Sequence, residues 1–418
     1  MATSTPSIQM KQVGSAGRKA LILFVNKFLG SAIQIPIIIF LSRTFGPAVV
    51  GEYAFAQAIV IPMMFFVSLR FSAVILTDTR RQRGHADYFV ISSLLCLAIS
   101  SVVGLVLWSA GHGSLLPVFF ALVVFRCFYL FSEFVVAFAQ KAQDFDFILR
   151  SSSIRFTALL LTFVLVAQAT QSLFWGLAAI ASCQIVLTLV LELPWMFTNR
   201  EGLSRPDTRS IKPWLGRRAL FLHAIPLGFA VLFANLTPNT VRYLIVEMMG
   251  IDQLGYYAAV MQFVVVLRMA VAGASNSVLP RQARMFDARD ARGFVTPFLV
   301  LVSGLVAMGL VGAAASLAFG DFLLWLVYGP EFVGQKQLLA ATAGLASFIF
   351  MAQISEASAL AARITRASMY VNAVTLLLAM VSAFVLIPVF GLLGVQLALG
   401  ISALFQSAIF WTLIIRKW

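Results

Sequence analysis

The stretch FGPAVVGEY, Phe45 to Tyr53, returns in the middle of the chain as MGIDQLGYY, Met249 to Tyr257. Both carry glycine, four residues, glycine, one residue and tyrosine. Gly46, Gly51 and Tyr53 answer to Gly250, Gly255 and Tyr257, each 204 positions on. Glycine allows a tight reversal because it has no Cβ to oppose positive φ. A tyrosine entering the following helix suits an aromatic belt at a membrane interface. A turn written twice, half a chain apart, marks an internal duplication. Further traces support it: GRKAL at Gly17–Leu21 returns as GRRAL at Gly216–Leu220, Ser132-Glu133 as Ser355-Glu356, and Trp175-Gly176-Leu177 as Leu393-Gly394-Val395.

The segments joined by these turns are almost wholly apolar. Of the 418 residues, 61% are hydrophobic and 11% charged, which excludes an ordinary soluble domain. Apolar runs of about 20 residues match the length of a helix crossing the hydrocarbon core. They lack the alternation of barrel strands. Spans are expected near 20–41, 53–75, 88–110, 116–138, 154–170, 173–197, 219–246, 255–279, 294–319, 337–361, 367–388 and 391–415. The first run is too long for a signal-peptide core and no small-residue cleavage site follows, so it reads as a retained span. The expected fold is all-α and polytopic, with about twelve transmembrane helices in two pseudo-symmetric six-helix lobes. The lobes are residues 1–197 and 219–418, joined by a basic linker, 198–218. An even number of spans per copy gives parallel repeats, related by an axis along the membrane normal.

The net charge of +14 follows the same topology. Of the 30 Lys and Arg residues, 22 fall in loops on the side of the N-terminus, while Arg43 and Lys336 alone fall opposite. By the positive-inside rule both termini are cytoplasmic. The charge is thus a topological signal, and no nucleic-acid partner is implied. The longest outer connection is expected at about Gly320–Lys336. Cys96, Cys127 and Cys183 stand alone within apolar runs, with no CxxC or Cys/His spacing, so neither disulfide nor metal is expected.

Six basic residues remain at membrane depth: Lys27, Arg70, Arg126, Arg155, Arg242 and Arg268. A cation at a helix centre costs about 2.5–3.5 kcal/mol on insertion scales, so these are not expected to face lipid. Arg126 and Arg268 fall near mid-span. Lys27, Arg70 and Arg155 lie nearer the cytoplasmic ends and Arg242 nearer the outer end, where snorkelling to headgroups is the alternative. Lys27, Ser31 and Gln34 form a polar stripe on the first helix, and Asn235, Asn239 and Arg242 repeat that spacing on the seventh. Facing one another, such stripes would line a hydrated, net-cationic cavity; interhelical hydrogen bonds and structural ion pairs, such as Arg126 with Glu133, are the alternatives. Arginine suits phosphate oxygens through bidentate, charge-assisted bonds. The expectation is an anionic amphiphile, its diphosphate on Arg126 and Arg268 with Lys27 and Arg70 in support. Its sugar would lie beside Asn235, Asn239, Arg242, Gln34 and Ser31. Glu133 and Glu356, at matching places in the two copies, are candidates for binding a coupling H⁺ or Na⁺.

These residues resemble a known family. The two six-helix lobes resemble the multidrug/oligosaccharidyl-lipid/polysaccharide superfamily. The Gly-x4-Gly-x-Tyr stretch after the first helix, with Tyr328-Gly329-Pro330-Glu331-Phe332 before the tenth span, looks like Wzx-type polysaccharide translocases. The resemblance covers essentially the whole chain. It implies a flippase, not an enzyme, carrying undecaprenyl-diphosphate-linked oligosaccharide across a bacterial cytoplasmic membrane by alternating access. It implies a lipid-linked oligosaccharide and membrane lipids as partners, and the polymerase or export machinery of the same pathway. The glycan could belong to O-antigen, capsule or secreted exopolysaccharide. A multidrug or cation exporter of the same superfamily is the alternative within transport, but only Glu133, Glu192, Glu356 and Glu247 approach membrane depth. A membrane polymerase or ligase is the alternative from another class. The histidines His85, His112 and His223 form no catalytic pattern, however, and no GxxxxGK[ST] loop occurs.

Overall fold

The computed structural model describes residues 6–77, 85–198 and 213–418. Most of the basic linker, and the basic loop holding Arg80, Arg81 and Arg83, lie outside the described residues. Everything described is helix or short connection, with no strand. The elements are α1 (Pro6–Ala32), α2 (Gln34–Ser68), α3 (Phe71–Thr77), α4 (His85–Ser109), α5 (Leu116–Lys141), α6 (Phe145–Thr170), α7 (Leu173–Leu187) and α8 (Leu193–Thr198). There follow α9 (Pro213–Met249), α10 (Ile251–Asp287), α11 (Ala291–Tyr328), α12 (Lys336–Ala361), α13 (Thr365–Phe390) and α14 (Leu392–Lys417). A π-helical turn at Thr188–Glu192 joins α7 to α8 in one rod. A left-handed pair, Leu69 and Arg70, separates α2 from α3.

Among the described residues, nine helical stretches are long and apolar enough to cross a membrane. One of them, Gly17–Leu76, has 60 residues; as a single helix it would be about 90 Å long against a hydrocarbon core of about 30 Å, so it must fold back. The break is at Gly46, inside α2, where φ is 80° and ψ −174°. Its repeat mate Gly250, between α9 and α10, has φ 94° and ψ 170°. The duplicated sequence therefore has a duplicated backbone. With this break counted, the described residues form twelve rods, six in each copy. Upstream, Pro36 lacks an N–H and leaves the Ala32 carbonyl without its usual partner; α1 ends at Ala32, although Ile33 keeps right-handed helical dihedrals.

By packing, the chain forms two compact units: residues 1–37 with 63–228, and residues 38–62 with 229–418. In the first, α1 packs on α6, α3 and α4 on α5, and α7 on both α5 and α6. In the second, α12 is central, packing on α10, α11 and α14, while α13 packs on α14. Phe298 and Trp411, 4.5 Å between ring centroids, link the apolar interior there.

The second unit contains both copies of the opening motif, and they touch. Gly51 lies flat against the Ile251 carbonyl, and Gly255 against the Pro47 carbonyl. Ile251 and Pro47 are themselves repeat mates, 204 apart. The contact is therefore reciprocal: each turn presents a bare glycine to the other's first helical peptide. Tyr53 and Tyr257 are 2% and 1% exposed. They are core residues of this contact region and not the interfacial belt expected from the sequence, because the reciprocal packing turns the start of each helix inward.

Three further contacts tie the turn to its own unit. Arg43 donates to the carbonyls of Leu326 and Val327, meeting the unpaired carbonyls that end α11. The Glu331 carboxylate lies against Gly46, and Tyr243 donates its hydroxyl to the Ala58 carbonyl at 2.6 Å. The outer connection is shorter than expected. α11 continues through the apolar run Phe322–Val327 to Tyr328, leaving 329–335 as the link to α12. Cys96 and Cys127 also meet each other between α4 and α5 as free thiols, so they are not isolated.

Candidate functional site

Each unit places a carboxylate at membrane depth beside arginine. In the first, α5 carries Arg126, Tyr129, Ser132 and Glu133. Ser132 is fully buried, while Glu133, next in sequence, is exposed and lies in the field of Arg126, Arg155 and Lys27. Lys27 on α1 is itself exposed, and Ser31 and Gln34 are half-buried. Arg126 is half-buried, its guanidinium 5.6 Å from the Phe125 ring, and its Nε has no hydrogen-bond partner. Arg126 and Glu133 thus interact through space and not as the direct ion pair that was the structural alternative. Arg70 is exposed at the left-handed break between α2 and α3, with φ 54°.

Arg155 does not take the snorkelling alternative that its position left open. It is 5% exposed and forms an ion pair with Glu192, which is 1% exposed. Glu192 closes the π-helical turn and accepts a 2.6 Å bond from the Ser132 hydroxyl on α5. Arg155 donates to the Ser151 hydroxyl at 3.1 Å and stands 5.7 Å from the Tyr129 ring. Gln184 donates to Ser132 at 2.8 Å and to Thr188 at 3.1 Å. The pairing is dictated by low dielectric: neither charge could stay buried without the other, and hydroxyls fill the remaining acceptor positions. Removing one partner strands the other, so Arg155→Ala or Glu192→Leu alone should cost about 3–5 kcal/mol of stability. Arg155→Met with Glu192→Leu should cost much less. Melting temperatures of the three proteins in detergent check this; a double variant as damaged as the singles would contradict it.

In the second unit the repeat mate of Glu133 is half-buried Glu356 on α12. Its carboxylate accepts from the Asn372 amide at 3.3 Å, and the Asn372 carbonyl accepts from the Gln406 amide at 2.8 Å, linking α12, α13 and α14. Glu356 also lies in the field of Arg268, whose side chain is exposed. On α9, Asn239 is 5% exposed and donates to the Asn235 carbonyl at 2.7 Å, a bond within its own helix. Half-buried Arg242 stands beside Tyr243 and Tyr257, its Nε without a partner.

The structure therefore brings Lys27, Arg126 and Glu133 together in one unit, and Arg268 with Glu356 in the other. Among the described residues Arg126, Arg242 and Arg268 form no ion pair, whereas Arg155 does. The residues missed from sequence are Arg155 with Glu192, and Asn372 with Gln406. Arg155 and Glu192 each stood out as a charge at membrane depth, but 37 residues of separation gave no sign that they pair. An apolar crevice of about 150 Å³, walled by Leu267, Leu305, Met308 and Phe350, lies between α10, α11 and α12.

Comparison with known proteins agrees with this architecture. Residues 16–286 match the family model described as polysaccharide biosynthesis protein. The capsular polysaccharide biosynthesis protein CapF of Staphylococcus aureus is 21% identical over 385 residues, covering 91% of this chain and 94% of that protein. Among solved structures, the lipid II flippase MurJ in an inward closed conformation is similar with a TM-score of 0.72 at 11% identity, over 96% of this chain and 88% of that one. A multidrug resistance MATE family transporter in an inward-facing conformation gives 0.65 at 13% identity, over 96% and 94%. At these identities the structural likeness establishes the fold.

Proposed function

The chain belongs to the polysaccharide biosynthesis protein family, and we propose that it is a flippase for lipid-linked oligosaccharide. It carries an undecaprenyl-diphosphate-linked glycan from the cytoplasmic to the outer leaflet of a bacterial cytoplasmic membrane, by alternating access. The observation that carries this reading is the contrast among the arginines. Arg155 is neutralised by Glu192, while Arg126, Arg242 and Arg268 hold no ion pair among the described residues. An unpaired guanidinium at membrane depth costs about 2.5–3.5 kcal/mol, and an anionic ligand offsets that cost. The diphosphate binds Arg126 and Arg268, supported by Lys27 and Arg70, and the tail stays in lipid, sparing its hydrocarbon from water. Ser31, Gln34, Asn235, Asn239 and Arg242 supply polar contacts toward the sugar.

Reconstitution tests the function directly. Proteoliposomes loaded with lipid-linked oligosaccharide should show protein-dependent exposure of the sugar to an external glycosidase; exposure equal to that of protein-free liposomes would sink the proposal. The orientation is tested by cysteine labelling. Positions in 198–218 should be reached only from the cytoplasm and positions in 329–335 only from outside. Outer labelling of the linker would reverse the topology.

Glu133 is the coupling site in this reading, a carboxylate held by several cations without a direct partner. Glu133→Gln should remove the dependence of transport on a proton or sodium gradient while leaving downhill flipping measurable. Unchanged ion dependence in proteoliposomes would exclude that role.

A further inference from the structure

A cavity of about 190 Å³ stands apart from these arginines, where the ends of five helices of the second unit meet. Met249 ends α9, Gln253 opens α10, Gln335 and Gln337 flank the start of α12, Phe390 ends α13 and Leu393 opens α14. These are the helix ends opposite to those bearing Arg281, Arg284, Arg363 and Arg416. None of the lining residues is charged. The nearby charges, Lys336 and Asp321, are tied to each other at 3.3 Å, and Asp321 also accepts the Gly334 N–H at 2.9 Å. That bond holds the rim at Gly334, whose φ is 96°. The three glutamine side chains take no hydrogen bond from the described residues.

Each free carboxamide offers two N–H donors and a carbonyl acceptor. Three of them, from two helix ends, line the cavity together with Met249, Phe390 and Leu393. No lining residue offers a charged ligand a counter-ion. An apolar ligand would leave three amides desolvated and unpaired, at a cost for each. The ligand that suits this mixed lining carries vicinal hydroxyls around an apolar C–H face, and the cavity has room for one such ring. Pockets with an apolar wall and a few convergent polar groups are the common form of small-molecule sites.

We propose that this cavity is a subsite for one neutral sugar ring, resting on the reading that the cargo carries an oligosaccharide. It lies on the side to which the sugar is delivered, so it holds the leading saccharide after transfer and before release. The probe is the lipid-free oligosaccharide released by mild acid from the host's own lipid-linked precursor, and the readout is saturation-transfer NMR on the purified full-length protein in detergent. Wild type should transfer saturation to a subset of sugar protons. Gln253→Ala/Gln335→Ala/Gln337→Ala should reduce that transfer by at least about fivefold, the loss of one neutral hydrogen bond. Leu165→Ala, at an exposed position of α6 in the other unit, should keep it. Phe390→Ala, which alters only the apolar lining, gives a second variant should the triple lose its fold, and it should weaken transfer as well. No transfer to wild type, or full transfer to both cavity variants, would overturn the subsite. Neither result bears on the glycosidase assay in proteoliposomes, so the subsite and the flippase reading fail separately.

Discussion

Arg268→Ala is expected to bring polymer export down to background while protein level and membrane insertion stay normal. The residue forms no ion pair among the described residues, and Glu356, in whose field it lies, keeps its hydrogen bond from Asn372, so the fold has no reason to fail. The ligand, by contrast, loses a charge-assisted contact of about 1.5–3 kcal/mol, roughly ten- to a hundredfold in affinity. Arg126→Ala should act in the same direction. Arg268→Lys should restore only part of the export, because an ammonium keeps the charge but lacks the two-pronged donor geometry that matches phosphate oxygens. Export is read as surface polymer in a deletion strain, with protein quantified in the same membranes. Full export from the Arg126→Ala/Arg268→Ala double variant would show both residues to be dispensable to transport.

The second large effect is on folding. A Cβ placed on Gly51 would stand 2.9 Å from the Ile251 carbonyl carbon, and one on Gly255 would stand 2.8 Å from that of Pro47. Backbone moves aside only by shifting a whole helix, which a side chain need not do. Gly51→Ala or Gly255→Ala should therefore cost about 1–3 kcal/mol, as overpacking does, and Gly255→Leu should abolish accumulation in the membrane. Because the two glycines share one contact, their costs should fall short of adding: once the first methyl has driven the helices apart, the second finds room. Melting in detergent for the alanine variants, and membrane level for Gly255→Leu, decide the matter. Normal accumulation of Gly255→Leu would mean that the close approach contributes little.

The course of the helices was legible because the bilayer imposes a length and a composition on every segment, and the duplication was legible because glycine is irreplaceable at φ near 80–94°. What that glycine touches was not. The same residue that permits a turn also permits close approach, and only the fold distinguishes a tyrosine at the lipid interface from Tyr53 and Tyr257 in the core. The charged residues divided in the same way. That Arg126 and Arg268 could not face lipid followed from depth alone. That Arg155 belongs with Glu192 depended on the register of α6 against a π-helical turn, which adds a residue to the helical count and has no sequence signal of its own. The length of α11 was underestimated because Gly320 and Asp321 read as a loop, although the run after them is apolar enough to carry the helix to Tyr328.

The paired glycines also speak to origin. A surface that meets its own copy, residue for residue with the roles exchanged, is the kind by which two identical chains associate about a two-fold axis. A six-helix ancestor bearing one such turn could have dimerised through it before its gene was doubled and joined. Once the copies shared a chain, most positions were released from serving two identical partners. Lys27 and Arg126 could then arise in one copy, and Asn372 and Gln406 in the other. The glycine contact was not released in that way, for each half of it still has to fit the other.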